Sequence, residues 1–266
     1  MLIRLHNGLQ PQYPARPRLS SSFLASARFL TLGSQPNYAP LPLAVTSYTT
    51  AERDRIDGVA SVRWVNASFD FPGADAATEW TIAAVVRRRE DNYYGPKIFG
   101  TGDTYADNQR LDTNHGFGAS HTFQGFLYDG TSPRYMSSTA YLRADEWSRV
   151  VLTCTESEML LAANGAADAS VAVNNAGRAV TNKGWLGPNT QTDCAEGLIA
   201  LCLRTNRAWT KRERDHFIRD PYNSVFAPRK LVFPVNAGAT LPTLSAATYV
   251  PGSITSSGFR PRVTAS

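Results

Sequence analysis

Between about residue 23 and residue 208 the chain is a succession of short apolar runs separated by turn residues. Trp80-Thr81-Ile82-Ala83-Ala84-Val85-Val86 is β-branched and apolar almost throughout, the pattern of a buried strand. Trp147 to Cys154, Glu158 to Ala163 and Gly197 to Leu203 have the same character. Weaker strand signals lie at Phe23 to Leu32, at Val62 to Phe71, at Lys97 to Gly100, at Gly116 to Gly118, at Phe123 to Tyr128, at Ala169 to Val173 and at Gly184 to Gly187. Pro72-Gly73, Asp129-Gly130 and Asn164-Gly165 punctuate them, and Asp-Gly and Asn-Gly favour turns because glycine tolerates positive φ. Many short strands with turn punctuation predict a two-sheet antiparallel sandwich of jelly-roll type, an all-β fold spanning residues 23–235.

One helix stands out near 210–219. Thr210-Lys211-Arg212-Glu213 is a capping box, in which the threonine oxygen accepts from the Glu213 backbone and the glutamate reaches back. Phe217 and Ile218 give the helix an apolar side, and Pro221 is expected to end it. The ends of the chain differ from the middle. Residues 1–22 carry Pro11, Pro14 and Pro17 among arginines and read as an extended arm. Residues 236–266 are rich in Ala, Thr, Ser, Pro and Gly, with Thr248-Tyr249-Val250 and Arg262-Val263-Thr264 as strand candidates. This extension has too few large apolar residues for a core of its own and is expected to dock on its own sandwich or on a neighbouring subunit.

Composition sharpens the picture in three places. Charged residues are only 18% of the chain, so polarity comes from Ser, Thr, Asn and Gly, which suits strands and turns more than solvated helices. The formal net charge is +5, yet the basic residues are scattered. The densest runs, Arg87-Arg88-Arg89 and Lys211-Arg212-Glu213-Arg214, have no zinc-ligand spacing or RNA-recognition motif beside them, which disfavours nucleic acid as a partner. The three cysteines, Cys154, Cys194 and Cys202, include no CxxC pair. Cys154 and Cys202 lie in apolar runs, so buried thiols and folding in a reducing cytosol are expected. No signal-peptide pattern opens the chain, and no apolar stretch approaches the roughly 20 residues that span a bilayer.

Ser68-Phe69-Asp70-Phe71 with Glu79-Trp80 to Arg87, and Glu146-Trp147 to Leu152 with its following strand and Asn-Gly turn, resemble segments of laminin-G-like, concanavalin-like jelly rolls. The closing run is more specific: Leu198-Ile199-Ala200-Leu201, Arg207-Ala208-Trp209-Thr210, Asp220-Pro221-Tyr222 and Phe226-Ala227-Pro228. It is similar to the ending of laminin-G-like proteins from tailed-bacteriophage structural gene clusters. The resemblance implies a non-enzymatic virion structural protein, in the tail tip or baseplate or decorating the capsid. It also implies assembly in the host cytoplasm, contacts with other virion proteins through the terminal arms, and a host glycan as ligand. A homo-oligomer is compatible with it. The alternatives are a carbohydrate-binding adsorption module outside the particle scaffold and a polysaccharide-cleaving enzyme.

The chemistry-bearing residues favour binding. There is no GxSxG, HExxH or P-loop pattern. No Glu-x-Asp-x-x-Glu array is present, and Glu156 and Glu158 lie beside a turn, where the paired carboxylates of a retaining glycosidase are not expected. The histidines His6, His115, His121 and His216 lack cysteine or aspartate partners at metal spacing. No cofactor is expected, with calcium the one candidate ion. Asp103, Asp107 and Asp112, with Asn108 and Asn114, form an oxygen-rich stretch suited to calcium or simply to solvating a loop. Tyrosines cluster in the same half: Tyr93, Tyr94, Tyr105 and Tyr128, with Tyr135 and Tyr141 beyond them. Exposed rings of this kind stack on sugar faces, and tyrosine also fills sandwich edges and protein interfaces.

Overall fold

The computed structural model describes residues 26–32, 44–56, 59–70, 77–88, 97–101, 109–113, 122–143, 145–175, 183–186 and 197–226. The chain forms two compact units, 1–228 and 229–266, and the described residues all belong to the first. The expected arm at 1–22, the extension at 236–266 and its two strand candidates lie outside the described residues, as does the expected strand at Gly116 to Gly118.

The described chain is β throughout until two short helices close it. In order the strands are β1 Ala27–Leu32, β2 Ala44–Ile56, β3 Val59–Asp70, β4 Trp80–Arg88, β5 Lys97–Thr101, β6 Gln109–Thr113 and β7 Phe123–Tyr128. Then come β8 Pro133–Ser137, β9 Trp147–Cys154, β10 Glu158–Ala163, β11 Ala169–Ala172, β12 Lys183–Leu186 and β13 Gly197–Thr205. Helix α1 is Lys211–Arg219 and α2 is Pro221–Val225.

All pairings are antiparallel, and the ladder runs β11-β10-β9-β4-β13-β3-β12-β5-β6-β7-β8, with β1 also on β13 and β2 on β3. The long strand β3 turns the corner. It pairs with β13 at Val62 and with β12 from Ala67 to Asp70, carrying the ladder from one layer into the other. The two layers then face each other, with β7 against β10 and β8 against β11.

Alternation along the strands sorts the apolar residues into two cores. The inner core takes Trp80, Ile82, Ala84 and Val86 of β4, Val150, Leu152 and Cys154 of β9, and Met159 and Leu161 of β10. Opposite them are Phe99 of β5, Leu111 of β6, Phe123 and Leu127 of β7 and Met136 of β8. The layers approach closely at Gly125: a Cβ there would stand 2.6 Å from Leu152 Cδ1.

The second core lies on the other face of β4, β9 and β13. Ala83, Val85, Val151, Leu201 and Leu203 meet Leu30 of β1 and the closing residues Trp209, Phe217 and Val225. A row of three threonines in register, Thr153, Thr81 and Thr205, receives the chain as it leaves β13. Thr81 Oγ1 donates to the Arg207 carbonyl at 2.9 Å and accepts from the Trp209 amide at 3.1 Å, and Thr205 Oγ1 donates to the same carbonyl at 3.1 Å. Arg207 then grips Glu213 through two 2.8 Å bonds. Burial alone would raise the Glu213 pKa, but Arg207 and the Thr210 backbone outweigh it and hold the carboxyl below its ordinary range.

The capping box at Thr210 and Glu213 forms as the sequence indicates. Pro221 ends α1 and also opens α2, where its missing N–H falls at a position that has no helical acceptor. Cys154 and Cys202 are free and buried, and burial pushes the Cys154 thiol up to about 12. Among the described residues no helix is long and apolar enough to cross a membrane.

Candidate functional site

The strands β6, β7 and β8 place chemically different residues on their two faces. On β6, Leu111 points to the inner core, so Arg110 and Asp112 point outward. On β7, Phe123 and Leu127 point inward, leaving Gln124, Phe126 and Tyr128 on the outer face. On the edge strand β8, Met136 alone is buried, and Pro133, Tyr135 and Ser137 alternate away from it.

Register then builds a ladder across the sheet. Arg110 pairs with Phe126 and Phe126 with Tyr135, while Asp112, Gln124 and Ser137 form the adjacent row. The Arg110 guanidinium lies 4.7 Å from the centroid of the Phe126 ring. Phe126 meets Tyr135 with centroids 4.8 Å apart and planes inclined at 53°. Phe126 is fully buried, whereas Tyr135 is 46% exposed. Arg110 Nε also forms an ion pair with the Asp112 carboxylate, two residues along the same strand face.

The β7–β8 turn is locked beside this ladder. Asp129 Oδ1 accepts from the Thr131 and Ser132 amides at 3.0 and 2.9 Å, and Gly130 adopts φ 94°. Arg134 Nε donates to Asp129 Oδ2 at 2.7 Å. That hydrogen bond, with those from the Ser132 and Thr131 backbone, overcomes the cost of burial and holds the Asp129 pKa down at about 2. At the other end of β8, Ser138 bonds Phe123 twice, its Oγ accepting from the Phe123 amide and its own amide donating to the Phe123 carbonyl. Tyr141, 59% exposed, follows in the next loop.

Of the tyrosines singled out by the sequence, Tyr128 lies on this outer face, half-buried, and Tyr135 joins it across the hairpin. Tyr93, Tyr94 and Tyr105 lie outside the described residues, as do Asp103 and Asp107, Asn108 and Asn114, and His115 and His121. Asp112 belongs to β6, where the sequence suggested a continuous oxygen-rich loop, and its carboxylate meets Arg110. Among the described residues no group of three His, Cys, Asp or Glu side chains could hold a metal ion. Glu156 is exposed in the β9–β10 turn and Glu158 begins β10. Arg110 and Phe126 escaped sequence reasoning. The available signal was the alternation of Gln109-Arg110-Leu111-Asp112-Thr113 around a single leucine.

No known protein-family profile matches the chain, and no curated protein matches it in sequence. Solved structures do. The binding domain of paraclostridial mosquitocidal protein 1 superposes with a TM-score of 0.56 at 13% identity over 76% of this chain and 53% of that chain. The binding domain of botulinum neurotoxin DC, solved in complex with SialylT, gives 0.54 at 10% identity over 74% and 52%. A botulinum neurotoxin type C structure, titled for the dependence of its cell entry on two ganglioside molecules, gives 0.52 at 9% identity over 74% and 52%. The likeness is one of fold. This chain spans about half the length of the structures it matches.

Proposed function

We propose that this chain is a carbohydrate-binding module without catalytic activity, and that its ligand lies on the outer face of β6, β7 and β8. The observation that carries the reading is the Arg110–Phe126–Tyr135 ladder. An accessible tyrosine ring is held in place by a buried aromatic, with amide and hydroxyl groups of Gln124 and Ser137 in the next row. Such a ring offers an apolar platform to the C–H face of a pyranose, and the adjacent polar groups suit its hydroxyls. The fold likeness to toxin binding domains whose titles name SialylT and gangliosides supports the same reading. The two carboxylates of this hairpin region, Asp112 and Asp129, each meet an arginine, and Asp129 is shifted downward. A glycosidase general acid needs the opposite shift. An array of bacterial surface polysaccharides tests the reading: wild type is expected to bind a subset and Tyr135→Ala to lose at least tenfold in affinity. A silent array, or a Tyr135→Ala variant that binds like wild type, overturns it.

The wider setting we propose is the virion of a tailed phage, where the sandwich would act as a rigid adsorption or decoration module. This reading rests on the closing segment from Leu198 to Pro228 and its resemblance to phage structural proteins. Fractionation of mature particles followed by mass spectrometry tests it, and absence of the chain from the particles rejects it.

A further inference from the structure

We infer that the ligand is the interior of a linear polysaccharide laid along the segment from Tyr135 to Tyr141, not a single sugar held at Tyr135; this rests on the reading of the β6–β7–β8 face as a sugar site. Exposed aromatic rings are concentrated in this one segment. Among the described residues, the large hydrophobic side chains left exposed are Tyr135 and Tyr141. The backbone between them keeps one side to the inner core. Met136, Ala140 and Leu142 belong to that core, and Ser138 is buried against Phe123. Tyr135, Ser137, Thr139 and Tyr141 alternate with them and are exposed. The alternation that packs the even positions therefore turns two rings and two hydroxyls to water along one continuous strip.

The strip is anchored along its length. Phe126 supports the Tyr135 ring. Past the end of β8, Ser138 Oγ donates to the Ala140 carbonyl at 3.1 Å. Thr139 Oγ1 donates to the Ala167 carbonyl at 2.9 Å, which ties the segment to the β10–β11 connection in the other layer and leaves the Thr139 lone pairs for a sugar hydroxyl. Extended chain from Tyr135 to Tyr141 spans about 20 Å at most, and a bend at Thr139 and Ala140 shortens it, so both rings lie within reach of one oligosaccharide. A single pyranose covers one ring. A ligand that stacks on both must repeat, and a linear polysaccharide presents successive pyranose faces with hydroxyls between them, in the order ring, hydroxyl, hydroxyl, ring. Groups fixed before binding lose little freedom on it, so the second platform adds to affinity.

The test uses the full chain and the bacterial surface polysaccharides of the array, each beside its size-fractionated partial hydrolysates from disaccharide to octasaccharide. Wild-type affinity is expected to climb about tenfold from the disaccharide to the octasaccharide of at least one polymer, the gain of one further aromatic contact. Tyr141→Ala is expected to remove that climb and leave disaccharide binding unchanged, whereas Tyr141→Phe, which keeps the ring, retains it. A wild-type affinity that does not change with length overturns the strip and leaves the Tyr135 site standing. So does a Tyr141→Ala variant that keeps the full climb, and if that variant also loses self-association in sedimentation, the ring belongs to a protein contact. Silence of every polymer and fragment would remove the sugar site and this inference with it. The wild-type length series decides the matter whether or not Tyr141→Ala folds.

Discussion

The two layers of the sandwich share an inner core but differ on their outer faces. Outside β4, β9 and β13, the face is apolar and is sealed by the chain's own closing segment, with Trp209, Phe217 and Val225 packed on Ala83, Val85, Val151 and Leu201. Outside β6, β7 and β8, the face is mixed: a guanidinium, a carboxylate, an amide and two tyrosines surround one buried phenylalanine. Among the described residues no helix belongs to that side. The contrast separates two uses of one architecture. A largely apolar face must be covered and so contributes to stability, whereas a face that alternates charge and aromatic can meet water and a polar ligand.

Substitutions should divide along this line, and four measurements would break or sharpen it. The largest effect is expected at Trp209, fully enclosed on the sealed face. Trp209→Ala should cost about 3–5 kcal/mol in denaturant unfolding, with polysaccharide binding unchanged under conditions where the variant is folded. Thr81→Val comes next. It leaves the Arg207 carbonyl with one fewer donor and the Trp209 amide without its acceptor, at about 1–3 kcal/mol by the same measurement.

The acid limb of stability follows at Asp129. Its folded-state pKa of about 2 lies below the ordinary 3.8, so its stabilisation is full above about pH 4 and is lost as pH falls from 4 toward 2. Screening at the half-exposed Arg134 keeps this to about 1 kcal/mol, and Asp129→Asn should flatten that part of the thermal-unfolding profile against pH. The smallest effect on stability belongs to Tyr135→Ala, about 0.5 kcal/mol for a half-exposed ring at a sheet edge. A loss of several kcal/mol at Tyr135 would mean that this face is structural, and the contrast between the layers would fail.

Much of the frame was legible in the sequence because burial leaves a mark there. β4, β9 and β13 are apolar on both faces, since one face meets the inner core and the other the closing segment, and continuous apolar runs follow. Gly130 and Gly165 both take positive φ at the turns where Asp-Gly and Asn-Gly stood out. β6 and β8 were hidden for the reverse reason. Each has one large apolar residue facing inward, Leu111 or Met136, and charged or polar neighbours facing out, and β8 opens on a proline. The helix at Pro221–Val225 was masked by reading proline as a stop when it also suits a first helical turn. The candidate site was half visible. Tyrosines announced themselves by composition, but Arg110, Phe126 and Tyr135 come together only through strand register, which no local pattern specifies.

β13 occupies the middle of its layer, with β4 along one edge and β1 and β3 along the other, yet it is the last strand the described chain supplies. During synthesis β4 emerges roughly a hundred residues earlier. At about 5–20 residues per second the slot beside it stays vacant for on the order of ten seconds. Through that interval β4 offers an apolar ribbon with at least one bare hydrogen-bonding edge, the kind of surface that nascent-chain chaperones retain and that neighbouring polysomes can join. Any cut or stop codon ahead of Gly197 would leave that vacancy permanent, so truncated products of this gene should be found in inclusion bodies, not in solution.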